Sequence, residues 1–468
     1  MTEGAINKWR VLFGLIMGLF MASIEGTIVP IAMPRAVLEL GGQVLYNWPI
    51  TIFILSSTVS IPVWGRVSDI WGRRPVYLTG LTLFAVSSLL CGTSWNMESL
   101  ILFRLLQGLG SGALFSLTFT IIGDLFTLEE RGRVTSYTTT VWAVGSVLGP
   151  PLGGVIVDLL GWRWVYFINI PPAMVAFWIG FTNITSPLRG GLQRSLDIKG
   201  LVLFTLIATS AIVLIDAPLL DWHLILFTAA ILVAALLAFI VVEIREKAPF
   251  VPFNLFSNKL NLAIFILNGL LGFAFFGTIT VIPPILQWFY GLPPTEAGLL
   301  LAPATIGWVV AANISSRLVV RHSPAPLIRT GVLLFIASIF LLLVANNILV
   351  NPIALIIPLV LMGSSMGLTV PTTLIAVQTL SSPSELGFMT SILTFFRSLG
   401  GSVGTQAMWA PFTKAPIELK VLETIYYPSI LSFGSALALL LLNAPLAFIL
   451  KWPNLQQAEM QRRQAYRG

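Results

Sequence analysis

Three charged residues stand inside long apolar stretches of this chain: Glu25 in SIEGTIVP, Arg104 in ILFRLLQ and Arg397 in LTFFRSLG. An ionisable side chain surrounded by hydrocarbon costs at least ~2.5 kcal/mol on insertion scales, so its presence there is a functional signal. A carboxyl in dry surroundings is pushed toward its neutral form, and a guanidinium beside it pulls it back toward the carboxylate. That combination is suited to taking up and releasing a proton. Glu25 lies nine residues before Pro34, and Arg104 five to seven residues into its own stretch. At ~1.5 Å per helical residue these offsets are about 12–14 Å and about 8–11 Å from the same side. The expected arrangement is Glu25 as a proton-coupling acid with Arg104 tuning it; a static structural ion pair is the competing reading. Arg397, about ten residues into its stretch, admits either a substrate contact or a packing contact through carbonyls.

The elements that must position these residues follow from composition. The chain has 468 residues, 56% of them hydrophobic and 10% charged, with a mean hydropathy of +0.91. A soluble domain carries roughly 25% charged residues, so an ordinary soluble enzyme is excluded. The single cysteine, Cys91, rules out an intramolecular disulfide framework and a multi-cysteine metal site. A membrane-crossing helix needs about 20 mostly apolar residues. Fourteen such stretches are present: 11–33, 46–66, 75–93, 99–124, 135–158, 165–186, 200–217, 223–242, 261–287, 294–314, 327–346, 352–376, 387–410 and 427–450. With a cytoplasmic N-terminus, 20 of the 26 Lys and Arg fall on the cytoplasmic side and four outside; Arg104 and Arg397 lie within spans. That asymmetry predicts a multi-pass protein of the cell membrane with both termini cytoplasmic. The net charge of +7 is thus a topology signal and gives no support for nucleic-acid binding. No P-loop pattern, no H-E-x-x-H and no paired buried carboxylates occur, so neither an enzyme nor a bound metal or cofactor is expected.

An internal repeat organises the spans. Arg66-Val67 to Thr79-Gly80 aligns with Arg317-Leu318 to Thr330-Gly331, and Glu130 to Ser136 with Glu385 to Ser391. Gly108 and Gly112 match Gly363 and Gly367. Spans 1–6 therefore correspond to spans 9–14, and spans 7 and 8 read as an inserted pair. The expected organisation is an N-terminal six-helix half at 1–190, a two-helix linker at 191–250 and a C-terminal six-helix half at 251–468. Paired halves of this kind are a transporter architecture, with the substrate site near the midplane.

The connection after span 2 reads Gly65-Arg-Val-Ser-Asp69-Ile-Trp-Gly72-Arg73-Arg74-Pro75. Two glycines, one acid and a cationic pair in so short a segment can hold two helix ends tightly together. In span 5, Gly145, Gly149, Gly153 and Gly154 recur about one turn apart, leaving a face bare of side chains that permits close helix approach. Pro150-Pro151 removes backbone donors there and favours a bend; static packing is the competing reading.

These segments resemble the major facilitator superfamily over nearly the whole chain. Gly65 to Arg74 is similar to its signature between spans 2 and 3, and Arg104-Leu-Leu-Gln107-Gly108-Leu-Gly110 to its span-4 signature. Gly145-x-x-x-Gly149-Pro150-Pro151-x-Gly153-Gly154 resembles the span-5 signature of antiporters. Ile24 to Pro34, Trp162-Arg163-Trp164 with Asn169-Ile-Pro171, Leu196-Asp197 to Gly200, and Gly291 to Pro303 resemble the fourteen-span drug:proton antiporter branch. The resemblance implies an all-α, polytopic fold of fourteen transmembrane helices, acting as a monomer that exchanges protons for small amphipathic, often cationic, molecules across the bilayer. It implies gating roles for Gly65, Asp69, Gly72, Arg73 and Arg74, and for Gly145, Gly149, Pro150, Gly153 and Gly154. Export of a lipid, lysolipid or secreted metabolite by the same fold is the alternative. The chain departs from the family in having Glu25 where an aspartate is usual. Val320 also replaces Asp69 in the C-half copy of the loop. Gln107, Asn268, Gln287, Arg397 and Gln406 are the candidate substrate contacts, with hydrogen bonding between helices as the competing explanation.

Overall fold

Proline, glycine and asparagine decide where the helices of this chain start and stop. The computed structural model describes residues 8–126, 128–184, 197–215, 222–246, 258–319, 323–348, 351–380, 386–414 and 422–449. The helices are α1 (Lys8–Leu40), α2 (Trp48–Trp71), α3 (Arg73–Gly92), α4 (Met97–Leu125), α5 (Leu128–Leu160), α6 (Trp164–Phe167), α7 (Ile170–Asn183), α8 (Ile198–Ile215) and α9 (Trp222–Arg245). They continue with α10 (Lys259–Pro284), α11 (Pro294–Leu318), α12 (Pro324–Ile348), α13 (Ile356–Leu380), α14 (Leu386–Trp409) and α15 (Leu422–Ile449). Eleven helical segments among the described residues are long and apolar enough to cross a membrane.

Local chemistry accounts for the boundaries. Asn96 begins α4 with a capping box: its side chain accepts from the Ser99 amide at 2.8 Å, and the Ser99 hydroxyl accepts in return from the Asn96 amide at 3.3 Å. This satisfies two donors that a helix start otherwise leaves open. Gly72 alone separates α2 from α3, at φ 91°, a conformation that only glycine adopts without strain. The stretch expected as one span at 165–186 is broken into α6 and α7. Pro171 and Pro172 lack N–H groups and fit a first helical turn, so α7 restarts at Ile170 with Asn169 at its N-cap.

The chain divides into two compact units, one formed by Met1–Ile207, Ala235–Phe250 and Leu292–Gly298, the other by Ala208–Ala234, Val251–Gly291 and Leu299–Gly468. In the first unit α4 packs on α2 and α3, while α1 packs on α5 and α7. In the second, α10 packs on α14, and α12 on α13 and α15. Large apolar side chains also cover the outer surface, among them Trp178 at 68% exposure and Leu442 at 65%, as expected for helices whose solvent is lipid.

The α2–α4 contact depends on glycine. A Cβ at Gly108 would lie 2.6 Å from the Phe53 carbonyl oxygen, and one at Gly112 2.6 Å from that of Ser57. Neither neighbour is a side chain that can swing aside. Gly108→Val is therefore expected to separate the helices one turn from Arg104 and lower the unfolding temperature, at a cost of about 1–3 kcal/mol for overpacking. Thermal unfolding of the purified variant in detergent checks it.

Candidate functional site

Helix α1 carries Glu25 into the interior of the first unit, where its side chain is 0% exposed and that of its partner Arg104, on α4, is 1% exposed. The pair is direct: Arg104 Nη1 donates to Glu25 Oε2 at 2.5 Å. The same nitrogen donates to Gln107 Oε1 at 2.6 Å. Residues three apart share a helix face, so one strip of α4 delivers both groups. Gln107 Nε2 then donates to Glu25 Oε1 at 3.0 Å and to Ser88 Oγ, on α3, at 2.7 Å. Asn169, at the break before α7, supplies another donor: its Nδ2 lies 2.5 Å from Glu25 Oε1 and 3.5 Å from Ser88 Oγ.

Arg104 is anchored on its other sides as well. Its Nε donates to the Pro49 carbonyl at 3.0 Å, and its guanidinium carbon stands 4.0 Å from the Phe53 ring centre and 5.7 Å from that of Tyr166. Aromatic faces attract a guanidinium, more strongly when water is excluded. Cys91 Sγ donates to Gln107 Oε1 at 3.7 Å. The Tyr166 hydroxyl is buried and has no hydrogen-bond partner among the described residues. A buried ion pair persists only when further hydrogen bonds satisfy its remaining valences, and here Gln107, Asn169 and the Pro49 carbonyl provide them.

The glycine face of α5 rests on the segment of α1 that carries Glu25. A Cβ at Gly149 would come 2.9 Å from Thr27 Cβ, and one at Gly153 2.8 Å from Ile28 Cγ1; Gly145 faces the Ser23 hydroxyl. Pro150 and Pro151 lie within α5, which continues through them. Gly154 faces Pro294 and Thr295 at the start of α11, where the Thr295 amide donates to Asp158 Oδ2 at 2.8 Å.

At the other end of the unit, Arg73 Nε donates to Asp124 Oδ2 at 3.0 Å and its Nη1 to Ser68 Oγ at 2.7 Å. These bonds tie the α2–α3 connection to the end of α4. Arg74 lies over the Phe181 ring at 4.9 Å, and a Cβ at Gly65 would lie 3.1 Å from Ser116 Oγ. Asp69 falls in the last turn of α2, and its side chain lies outside the described residues.

In the second unit, Asn268 Nδ2 donates to the Ile264 carbonyl at 2.9 Å and to Thr373 Oγ1, on α13, at 3.2 Å. Gln406 on α14 is buried. Gln287 occupies the π-turn Ile285–Phe289 that follows α10 and is partly buried. Arg397 is also partly buried, and its backbone carbonyl packs where a Cβ at Gly272 would stand.

A family model described as Major Facilitator Superfamily matches residues 15–405. The chain belongs to the major facilitator superfamily. It is 34% identical over 420 residues to the multidrug transporter protein MdtP of Bacillus subtilis (strain 168), covering 87% of this chain and 76% of that one. It is 30% identical over 403 residues to the multidrug efflux pump SdrM of Staphylococcus aureus (strain N315), covering 85% and 88%. Among solved structures, a bacterial homologue of the human lysosomal transporter Spinster matches with a TM-score of 0.68 at 15% identity, over 98% of this chain and 99% of that one. The D-xylose–proton symporter matches at 0.66 and 16%, over 96% and 97%. At such identities these two establish the fold alone.

Two members of the Glu25 cluster are not among the candidate site residues read from the sequence. Ser88 is one of many serines in apolar sequence. Asn169 belongs to a segment that carries the family resemblance, but its place two residues before a Pro-Pro pair marks a helix start and says nothing about what the side chain touches.

Proposed function

We propose that this protein is a proton-coupled secondary transporter that exports amphipathic, often cationic, small molecules by alternating access between its two halves. The single observation that carries the reading is the buried Glu25–Arg104 pair, an acid and its counter-charge placed where a charge is expensive. Glu25 is the coupling acid and Arg104 sets its charge state. Displacement of Arg104, or arrival of a cationic substrate, alters the balance between carboxylate and neutral acid and so moves a proton. Relatives named as a multidrug transporter and a multidrug efflux pump support export of this substrate class.

In this reading the chain crosses the cell membrane fourteen times as a monomer, with both termini cytoplasmic and α8 and α9 as an inserted pair. Gly65, Asp69, Gly72, Arg73 and Arg74 serve as a cytoplasmic latch. Gly145, Gly149, Pro150, Gly153 and Gly154 let α5 slide or bend against α1. Gln287, Arg397 and Gln406 are the C-half candidates for substrate contact. Asn268, held by Thr373, and Gln107, whose amide is engaged by Arg104, Glu25 and Ser88, have less left to offer a ligand.

The test is substrate-dependent proton flux in liposomes containing the purified full chain and an internal pH-sensitive dye. The panel comprises cationic dyes, anionic metabolites and lysolipids. Proton movement on addition of cationic amphiphiles is expected. A response confined to lysolipids would overturn drug export in favour of lipid export. Substrate uptake without proton movement would overturn coupling.

A further inference from the structure

The donors around Glu25 are not equivalent. Arg104 is held independently by the Pro49 carbonyl, by Gln107 Oε1 and against Phe53. Gln107 is held by Arg104 and Ser88. Asn169 Nδ2 has, apart from Glu25, only Ser88 Oγ at 3.5 Å. It also stands at the N-cap of α7 without a capping bond from its side chain, so the amide is not committed to the helix it begins.

The chemistry of the donors differs in the same direction. A carboxylate accepts only, so the nitrogen of each neighbouring amide must face it. A neutral carboxylic acid carries one O–H donor that needs an acceptor. Guanidinium has no acceptor to offer, and the Gln107 oxygen is already taken by Arg104 and Cys91. An asparagine amide donates through nitrogen or accepts through oxygen after a half-turn.

We propose that Asn169 is the positioning residue whose amide donates to Glu25 as a carboxylate and turns over to accept a hydrogen bond from its O–H when it is protonated, thereby setting the pH at which the transporter couples. This rests on the reading of Glu25 as the coupling acid. The surrounding charges leave this role to few groups. Arg104 enters from α4, and Cys91 from α3 and Tyr166 from α6 are the other ionisable side chains in the described cluster. Helix α2 has no ionisable residue before Arg66, α7 has none at all, and α5 has none between Tyr137 and Asp158. The segment bearing Asn169 also reaches the outer end of α1, where Trp162 Nε1 donates to Glu39 Oε2 at 2.7 Å and Arg163 pairs with Glu39. One short segment thus grips α1 at two carboxylates.

The experiment follows the protonated-carboxyl infrared band of the purified full chain as a function of pH. Glu25→Gln identifies the band by removing it. Asn169→Ala takes away a donor to the carboxylate and is expected to raise the midpoint by about one pH unit. Asn169→Asp, nearly isosteric, sets a second carboxyl against the first and is expected to raise the apparent midpoint further; it decides the matter if the alanine variant does not fold. The pH optimum of transport should move in the same direction, which a merely structural residue would not cause. A Glu25 band with an unmoved midpoint in the Asn169 variants overturns the proposal while leaving Glu25 as the coupling acid. A carboxyl titration from which Glu25→Gln removes no component overturns both.

Discussion

Glu25→Gln is expected to abolish proton-driven accumulation of substrate against its gradient, while downhill exchange of substrate continues. One pH unit corresponds to ~1.36 kcal/mol, so one proton per cycle across a one-unit pH difference supports a roughly tenfold substrate gradient. The variant should bring that gradient down to one. Glutamine keeps the length of the side chain and an oxygen that can accept from Arg104, but it cannot bind or release a proton. The cage around position 25 meets the exchange through Asn169, whose amide can present oxygen in place of nitrogen, while Arg104 Nη1 still has the retained side-chain oxygen to donate to. The measurement is accumulation in proteoliposomes with an imposed pH difference, set beside substrate counterflow at equal pH. Counterflow separates loss of coupling from loss of the protein. Full accumulation in the variant would make the Glu25–Arg104 pair a static structural contact and move the coupling group elsewhere.

The second large effect concerns stability. Arg104→Leu leaves the Glu25 carboxylate buried without a counter-charge, and breaking a buried pair from one side costs about 3–5 kcal/mol. It also removes the guanidinium that bonds to the Pro49 carbonyl and packs against Phe53. The single variant should lose most of its folded yield. The double variant Glu25→Gln with Arg104→Leu should recover a large part of it, because a neutral amide no longer needs the cation. Groups in one network are coupled and their effects do not add. Thermal unfolding of the singles and the double, read as a cycle, measures that coupling. A double variant no more stable than Arg104→Leu alone would show that the guanidinium serves mainly through packing, and that its charge is incidental to Glu25.

Much of the frame was legible in the sequence. Glu25 and Arg104 stood out because charge is scarce, and a fixed rise per residue put them at similar depth. Gln107 three residues after Arg104 marks a shared face. The Gly65–Pro75 segment read as a tight connection between two helix ends, and the four glycines of α5 announced a bare helix face. Other features had no such local signal. The spacing of apolar residues predicts a single sixth span, and Trp164–Asn183 is one apolar segment of crossing length, but hydropathy does not register that its helix restarts at Ile170 ahead of Pro171 and Pro172. Asn268 is one of several polar residues in apolar sequence until Thr373, 105 residues later, is seen beside it. Arg73 reads as a topology charge until Asp124 appears opposite it.

The sequence by itself determined the solvent of this protein and which of its charges are costly, because both depend on composition along a helix and on nothing farther away. The tertiary structure decided which groups meet. Arg104, Gln107 and Asn169 reach Glu25 across 79, 82 and 144 residues, and such encounters depend on how closely helices pack and where each is broken. Glu25 could be recognised as an acid from its own surroundings, whereas the groups that hold its charge are set by glycines on α4 and α5 and by the interruption before α7.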